Sequence, residues 1–300
     1  MLSFLPAFLI FPIHTALQVL NIAFWGGMII ILGVIKLVLP IKPLVNLINR
    51  IINPMLSAFG IGSVCLMKLF NHCQWEIDVN GTLSKQNWYL MLPNHLSWLD
   101  IVLLTKLSAG RIPAPKFFLK KELIWVPFIG LGAWALDMPF MQRYSRETLE
   151  KRPHLKGKDI ETTRKSCEKF REIPTTVINF VEGSRFTPAK HKARKSPYDH
   201  LLPPKAGGIA FTLAAMGELF TNILDVTISY PQNEGRPMMD MLKGNLKAVV
   251  IKVNVLPVDA AIIGDYFNDD AFKGEFQEWL NTLWESKDQN LQSIHKEAVC

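Results

Sequence analysis

WYLMLPNHLSWLDIVLLTKL, residues 88–107, decides the fold. Trp88 to Pro93 form a short unbroken apolar run, the pattern of a strand buried on both faces. Ser97 to Leu107 then read as a helix, with Ser97 and Asp100 at the spacing of a capping box. Between the two lies a turn that holds Asn94 and His95. A buried strand that passes through a short turn into a helix is the repeating unit of an α/β domain.

The same alternation continues outward. TTVINFV (175–181), LDVTISYP (224–231) and LKAVVIKVNVLPV (246–258) read as strands, and AGGIAFTLAAM (206–216) reads as a helix with its glycines at the start. Phe272, Phe276, Trp279, Leu280, Leu283 and Trp284 recur at helical spacing and predict an amphipathic C-terminal helix packed on the core. Between Arg143 and Arg171 a strongly charged, helix-compatible insertion bends at Pro153, as a solvated surface feature would. Residues 74–300 therefore read as one α/β domain, a central mixed sheet flanked by helices. Lys116, Lys120 and Lys121 in APKFFLKKEL fit either lipid headgroups or a plain solvated basic face.

Residues 1–73 differ in kind, and predict an N-terminal membrane-associated helical segment. The first charged side chain is Lys36, and 49% of the 300 residues are hydrophobic, more than one soluble core needs. Ala16 to Pro40 is long enough to cross a hydrocarbon core of about 30 Å and is read as one span. Pro6 and Pro12 upstream, and Pro54, Gly60 and Gly62 downstream, make the flanking apolar stretches marginal as spans. Those stretches fit an interfacial segment, a re-entrant hairpin or packing under the α/β domain. Lys36, Lys42 and Arg50 follow the span and place the remainder on the cytoplasmic side. A basic n-region and a small-residue cleavage site are not evident, which argues against a signal peptide.

A net charge of +7 fits nucleic acid, an anionic membrane or a phosphorylated substrate. The apolar N-terminus favours the membrane, and no nucleic-acid partner is expected. Cys65, Cys73, Cys167 and Cys300 are scattered without metal-ligand spacing, and no metal site is expected.

Three windows carry chemistry. His95 can act as a general base, because an imidazole accepts a hydroxyl proton near neutral pH and a carboxylate can fix its tautomer. From spacing alone, Asp100 serves that role or simply caps the helix. Glu182, Gly183, Ser184 and Arg185 follow a buried strand, at the sheet edge where α/β ligands sit. Gly183 there permits a tight turn, and the backbone around it is a candidate oxyanion donor. A bland surface turn would accept the same residues. Arg143 ends the apolar stretch MPFMQR, either as a surface cation or as a partner of Arg185 in holding a phosphate. Lys205 and Gly207 precede a helix and are candidates for an anion site. A serine hydrolase is disfavoured because G-x-S-x-G is missing. A metalloenzyme is disfavoured because the His-to-Asp spacing does not pair ligands on one helical face. A non-catalytic anchored lipid-binding domain would explain the charge but not the three windows.

NHLSWLD, PFMQR and EGSR, in this order, resemble the first three sequence blocks of the bacterial glycerophospholipid (1-acyl-sn-glycerol-3-phosphate) acyltransferase family. The resemblance implies that His95 is the catalytic base and Asp100 the acid that orients it. It implies that Arg143 and Glu182 to Arg185 bind the acyl acceptor. It further implies transfer of an acyl group from acyl-CoA or acyl-carrier protein to a lysophospholipid, without a cofactor. The acceptor implied is 1-acylglycerol-3-phosphate, and the place a bacterial inner membrane with the catalytic domain facing the cytoplasm. Val226 to Pro231 loosely resemble the fourth block, with no site residue assigned.

Overall fold

The computed structural model describes residues 2–141 and 170–297. Arg143 and most of the charged insertion lie outside those residues. Two long helices open the chain, α1 (Ala7–Val38) and α2 (Lys42–Phe70), and both are long and apolar enough to cross a membrane. The stretch expected to span at 16–40 lies largely within α1, which begins earlier, at Ala7, and a second long apolar helix follows it. Pro12 and Pro54 lie inside the helices, each removing one backbone hydrogen bond. In an apolar segment every other peptide group still depends on the helix for its partner, so one lost bond does not end it. Gly60 and Gly62 mark close approaches rather than breaks. A Cβ on Gly60 would lie 2.8 Å from the Thr105 side chain, and one on Gly62 would lie 2.7 Å from the Asn21 amide. Asn21 in turn donates to Phe59 O and Ser63 Oγ, joining the two helices.

Beyond the helical pair come β1 (Gln74–Asn80), β2 (Tyr89–Pro93), α3 (Leu99–Ser108) and β3 (Pro115–Phe117). A small parallel pair, β4 (Leu119–Lys120) and β5 (Phe140–Met141), brackets α4 (Ile129–Ala135). The remaining elements are β6 (Thr176–Ile178), α5 (Pro188–Ala193), α6 (Ala206–Met216), β7 (Asn222–Ser229), α7 (Pro237–Leu242), β8 (Ala248–Pro257) and α8 (Asp270–Glu297). The main sheet has the order β1-β8-β7-β2-β6-β3. It is mixed: β7, β2, β6 and β3 run parallel, β8 is antiparallel to β7, and β1 is parallel to β8.

Side chains alternate along β2, so the sheet separates two cores. Tyr89 and Met91 join Ile52 and Leu56 of α2 and Leu103 of α3 on one face. Leu90 and Leu92 join Ile209 of α6 and Phe276, Leu280 and Trp284 of α8 on the other. The strand expected at 175–181 is shorter than its apolar run, ending at Ile178, because the chain then turns toward the site. Lys116 is corrected from a surface cation to a buried one. Its ammonium donates to Asn53 Oδ1 at 3.0 Å and Leu136 O at 2.6 Å.

Candidate active site

Parallel β2, β6 and β7 deliver their carboxyl ends to one edge of the sheet, and each contributes one part of the site. The loop after β2 carries His95, the loop after β6 carries Glu182 to Arg185, and β7 is followed by Tyr230. Asn94 ties the first of these to the third, since its Nδ2 donates to Ile228 O and its Oδ1 accepts from Ile228 N.

His95 Nδ1 lies 2.8 Å from Asp100 Oδ2. That same oxygen accepts the backbone N–H groups of Leu96 at 2.7 Å and Ser97 at 2.8 Å. Asp100 therefore does both things its spacing left open: it caps the start of α3 and holds the imidazole. The fully buried carboxylate also accepts from the Tyr230 hydroxyl at 2.6 Å through Oδ1. An oxygen facing this many donors has only acceptor capacity, so Nδ1 is the protonated ring nitrogen and Nε2 carries the lone pair. The ring is 14% exposed, enough for a substrate hydroxyl to reach it. Phe180 stacks on it with centroids 4.0 Å apart, fixing its plane.

The second loop is built around the first. Glu182 is fully buried, with Oε1 accepting from His95 N at 3.1 Å and Oε2 from Leu202 N at 3.3 Å. Burial pushes its carboxyl up to about 8, against the pull of those two N–H donors. Its carboxyl braces the backbone behind His95 and has no exposed surface for a substrate. Gly183 adopts φ +68°, a conformation that side chains rarely tolerate, and so turns the chain sharply. Its N–H donates to Phe180 O at 2.9 Å. Ser184 Oγ accepts from Arg194 at 2.8 Å, and the same guanidinium donates to Glu182 O at 3.1 Å. Arg185 is exposed, with its guanidinium 4.9 Å from the centre of the Trp98 ring, on the same side as the His95 loop. Phe186 N donates to His95 O at 2.7 Å, closing the two loops on each other. Of the expected residues, His95, Asp100, Glu182, Gly183, Ser184 and Arg185 converge; Arg143 lies outside the described residues. Lys205 stands at the N-terminal boundary of α6 and lies against Gly183, its Cδ 3.3 Å from where a Cβ would stand.

Tyr230, Phe180 and Arg194 were not singled out by the sequence. Tyr230 lay within the loosely matched fourth block, the one signal that pointed there. Lys287 of α8 gave none. It is buried against Asp225 as an ion pair and donates to Val226 O at 2.7 Å and Leu92 O at 3.2 Å, just beneath the site. Nearby, Ser229 Oγ, His295 and Glu234 align at 3.1 and 3.3 Å like a hydrolytic triad. Ser229 is fully buried, so its hydroxyl is closed to substrate and the array is structural.

The Acyltransferase family model matches residues 76–230, which contain every group just described except Glu234 and the α8 residues. The 1-acyl-sn-glycerol-3-phosphate acyltransferase delta of Homo sapiens is 27% identical over 217 residues, covering 68% of this chain and 52% of that protein. Lysocardiolipin acyltransferase 1 of Gallus gallus is 24% identical over 227 residues, covering 70% of this chain and 55% of that one. The chain thus spans about half the length of the curated relatives it matches. Among solved structures, the 1-acyl-sn-glycerophosphate acyltransferase PlsC of Thermotoga maritima shares the fold. The TM-score is 0.54 at 16% identity, over 93% of this chain and 95% of that one.

Proposed function

The chain belongs to the acyltransferase family, and on that premise we propose that it transfers a fatty acyl group from a thioester to the free hydroxyl of a lysophospholipid. The observation that carries the proposal is the His95–Asp100 pair, with Nδ1 bound at 2.8 Å and Nε2 left as the base. His95 Nε2 takes the proton of the acceptor hydroxyl while the hydroxyl oxygen attacks the thioester carbonyl. The new ester C–O bond forms, the C–S bond breaks, and the proton passes from the imidazolium to the departing thiolate. No acyl-enzyme is required. A positioned base of this kind contributes about 10²- to 10⁴-fold. Asp100 stabilises the imidazolium from a buried position, and the exposed Arg185 guanidinium beside Trp98 is placed to hold the acceptor phosphate. Arg143 is assigned the same task from its sequence block.

The acceptor is 1-acylglycerol-3-phosphate and the product phosphatidic acid; the names of the relatives support this choice. The donor is acyl-CoA or acyl-carrier protein, and no cofactor takes part. The N-terminal helical pair holds the enzyme in a bacterial inner membrane with its catalytic domain on the cytoplasmic face. Mass spectrometry of the lipid products tests the reading, with a panel of lysophospholipids offered alongside each donor. Phosphatidic acid formed only with lysophosphatidic acid supports it. Free fatty acid released without any acceptor, and no diacyl product, would mark a hydrolase instead.

A further inference from the structure

Between Leu123 and Leu136 the chain reads LIWVPFIGLGAWAL, fourteen residues without a charge inside the catalytic domain. It forms a 3₁₀ turn (Lys121–Trp125), a bend at Pro127 and Phe128, and then α4. A soluble domain would bury such a run, yet Trp125 is 86% exposed and Phe128, Ile129 and Leu131 are exposed with it. Charges stand only at its ends, with Lys121 and Glu122 on one side and Asp137 on the other.

This segment lies along α1. A Cβ on Gly26 would come within 3.1 Å of Phe128 Cβ, and one on Gly33 within 2.4 Å of Ala135 Cβ. The two contacts are seven residues apart in both segments, from Gly26 to Gly33 and from Phe128 to Ala135, so α1 and α4 run side by side in the same direction. Their common end is polar: Lys36 Nζ pairs with Asp137 Oδ2 at 2.8 Å and also donates to Ala135 O. Gly26 precedes Lys36 by ten residues, about 15 Å along the helix at 1.5 Å per residue. That is half of a hydrocarbon core of about 30 Å.

We propose that Leu123–Leu136 is a re-entrant membrane hairpin, a third bilayer element that inserts beside α1 with its tip at Trp125 to Phe128 facing lipid acyl chains. The inference rests on the reading of α1 as a membrane helix. Continuity of the exposed apolar surface from α1 onto α4 names the lipid core as the occupant. The backbone is compatible with that setting, because its bend is internally bonded. Val126 N donates to Leu123 O, Gly130 N to Val126 O, and Gly132 N to Phe128 O. Phe128 holds φ +59°, an unusual conformation for an aromatic residue, which sets the tip of the hairpin. Inserted in this way, the hairpin adds a third point of membrane contact, rigidly joined to α1 through the Lys36–Asp137 pair.

The test uses the full chain with its four cysteines replaced by serine, reconstituted in phosphatidylethanolamine and phosphatidylglycerol vesicles. Nitroxide labels are placed singly through Trp125→Cys, Ile129→Cys, Phe24→Cys on α1 and Ile77→Cys on the edge strand. Collision with oxygen and with a water-soluble nickel chelate is then compared. The proposal expects labels at 125 and 129 to match the label at 24, with oxygen collisions retained and nickel collisions lost relative to position 77. Nickel collisions at 125 and 129 equal to those at 77, with 24 still shielded, would overturn the hairpin and leave α1 in the membrane. Nickel access at 24 as well would overturn both. Shielding of 125 from oxygen and nickel alike would mean that protein covers the segment, which also overturns the proposal.

Discussion

The Tyr230 hydroxyl donates to Asp100 Oδ1 at 2.6 Å across 130 residues of sequence, tying the end of β7 to the carboxylate that orients His95. Both groups are fully buried. Burial and the neighbouring carboxylate hold the phenol well above its ordinary value, so it stays a donor at every working pH. Tyr230→Phe leaves the ring and removes one bond to a buried charge. Thermal unfolding is expected to show a loss of about 1.5–3 kcal/mol. Because Oδ2 keeps its three donors, the rate should fall only about tenfold, or roughly 1.4 kcal/mol.

Asp100→Asn keeps the shape of the side chain and removes its charge. The amide can still accept from His95, Leu96 and Ser97 through its oxygen, so the fold should persist. The imidazolium loses its counter-charge, and the rate of acyl transfer should drop by about 10²- to 10⁴-fold. A loss of tenfold or less in a folded variant would mean that Asp100 is only the α3 cap.

Gly183→Ala is expected to destabilise by about 1–2 kcal/mol, because φ +68° becomes strained once a Cβ is present. The added methyl also meets Lys205 Cδ at 3.3 Å. Chemical denaturation would show the lost stability, and the rate should fall with it, since the same turn aims Glu182 and Arg185.

Glu182 gives the protein a pH signature. Its carboxyl is raised from an ordinary 4.5 to about 8 in the fold, so the folded state holds a proton that the unfolded state releases. The stability tied to that proton is complete below 4.5, declines as pH rises, and is gone above about 8. Unfolding midpoints of wild-type protein should fall across this window. Glu182→Gln should flatten that slope while lowering stability throughout by about 1–3 kcal/mol, because its NH₂ must face one of two backbone N–H donors. An identical slope in the variant would assign the pH dependence elsewhere.

Much of this site was legible because it is local. His95 and Asp100 are five residues apart in a strand-turn-helix whose apolar and capping patterns are both strong, and Gly183 follows a clear apolar run. Tyr230 and Lys287 were not legible, since their roles depend on β7 lying beside β2 and α8 crossing beneath them. β1 was missed because QWEIDVN exposes Glu76 and Asp78 at the sheet edge, so it reads as polar. α2 was broken up in the sequence reading by Pro54, Gly60 and Gly62. The two glycines instead provide the room for α3 and the Asn21 amide of α1. Glu182 looked like a binding residue because it closes an apolar run that leads to the site; only the Leu202 backbone, which donates to its carboxyl, shows that the side chain points inward.

The most direct measurement is the transfer of radiolabelled acyl groups from acyl-CoA and from acyl-carrier protein to lysophosphatidic acid, comparing membranes that carry wild-type protein with membranes that carry His95→Ala. The account predicts diacyl product that requires the acceptor and is reduced by about 10²-fold or more in the variant. Product formed at an undiminished rate by correctly inserted His95→Ala protein would contradict the assignment of His95 as the base.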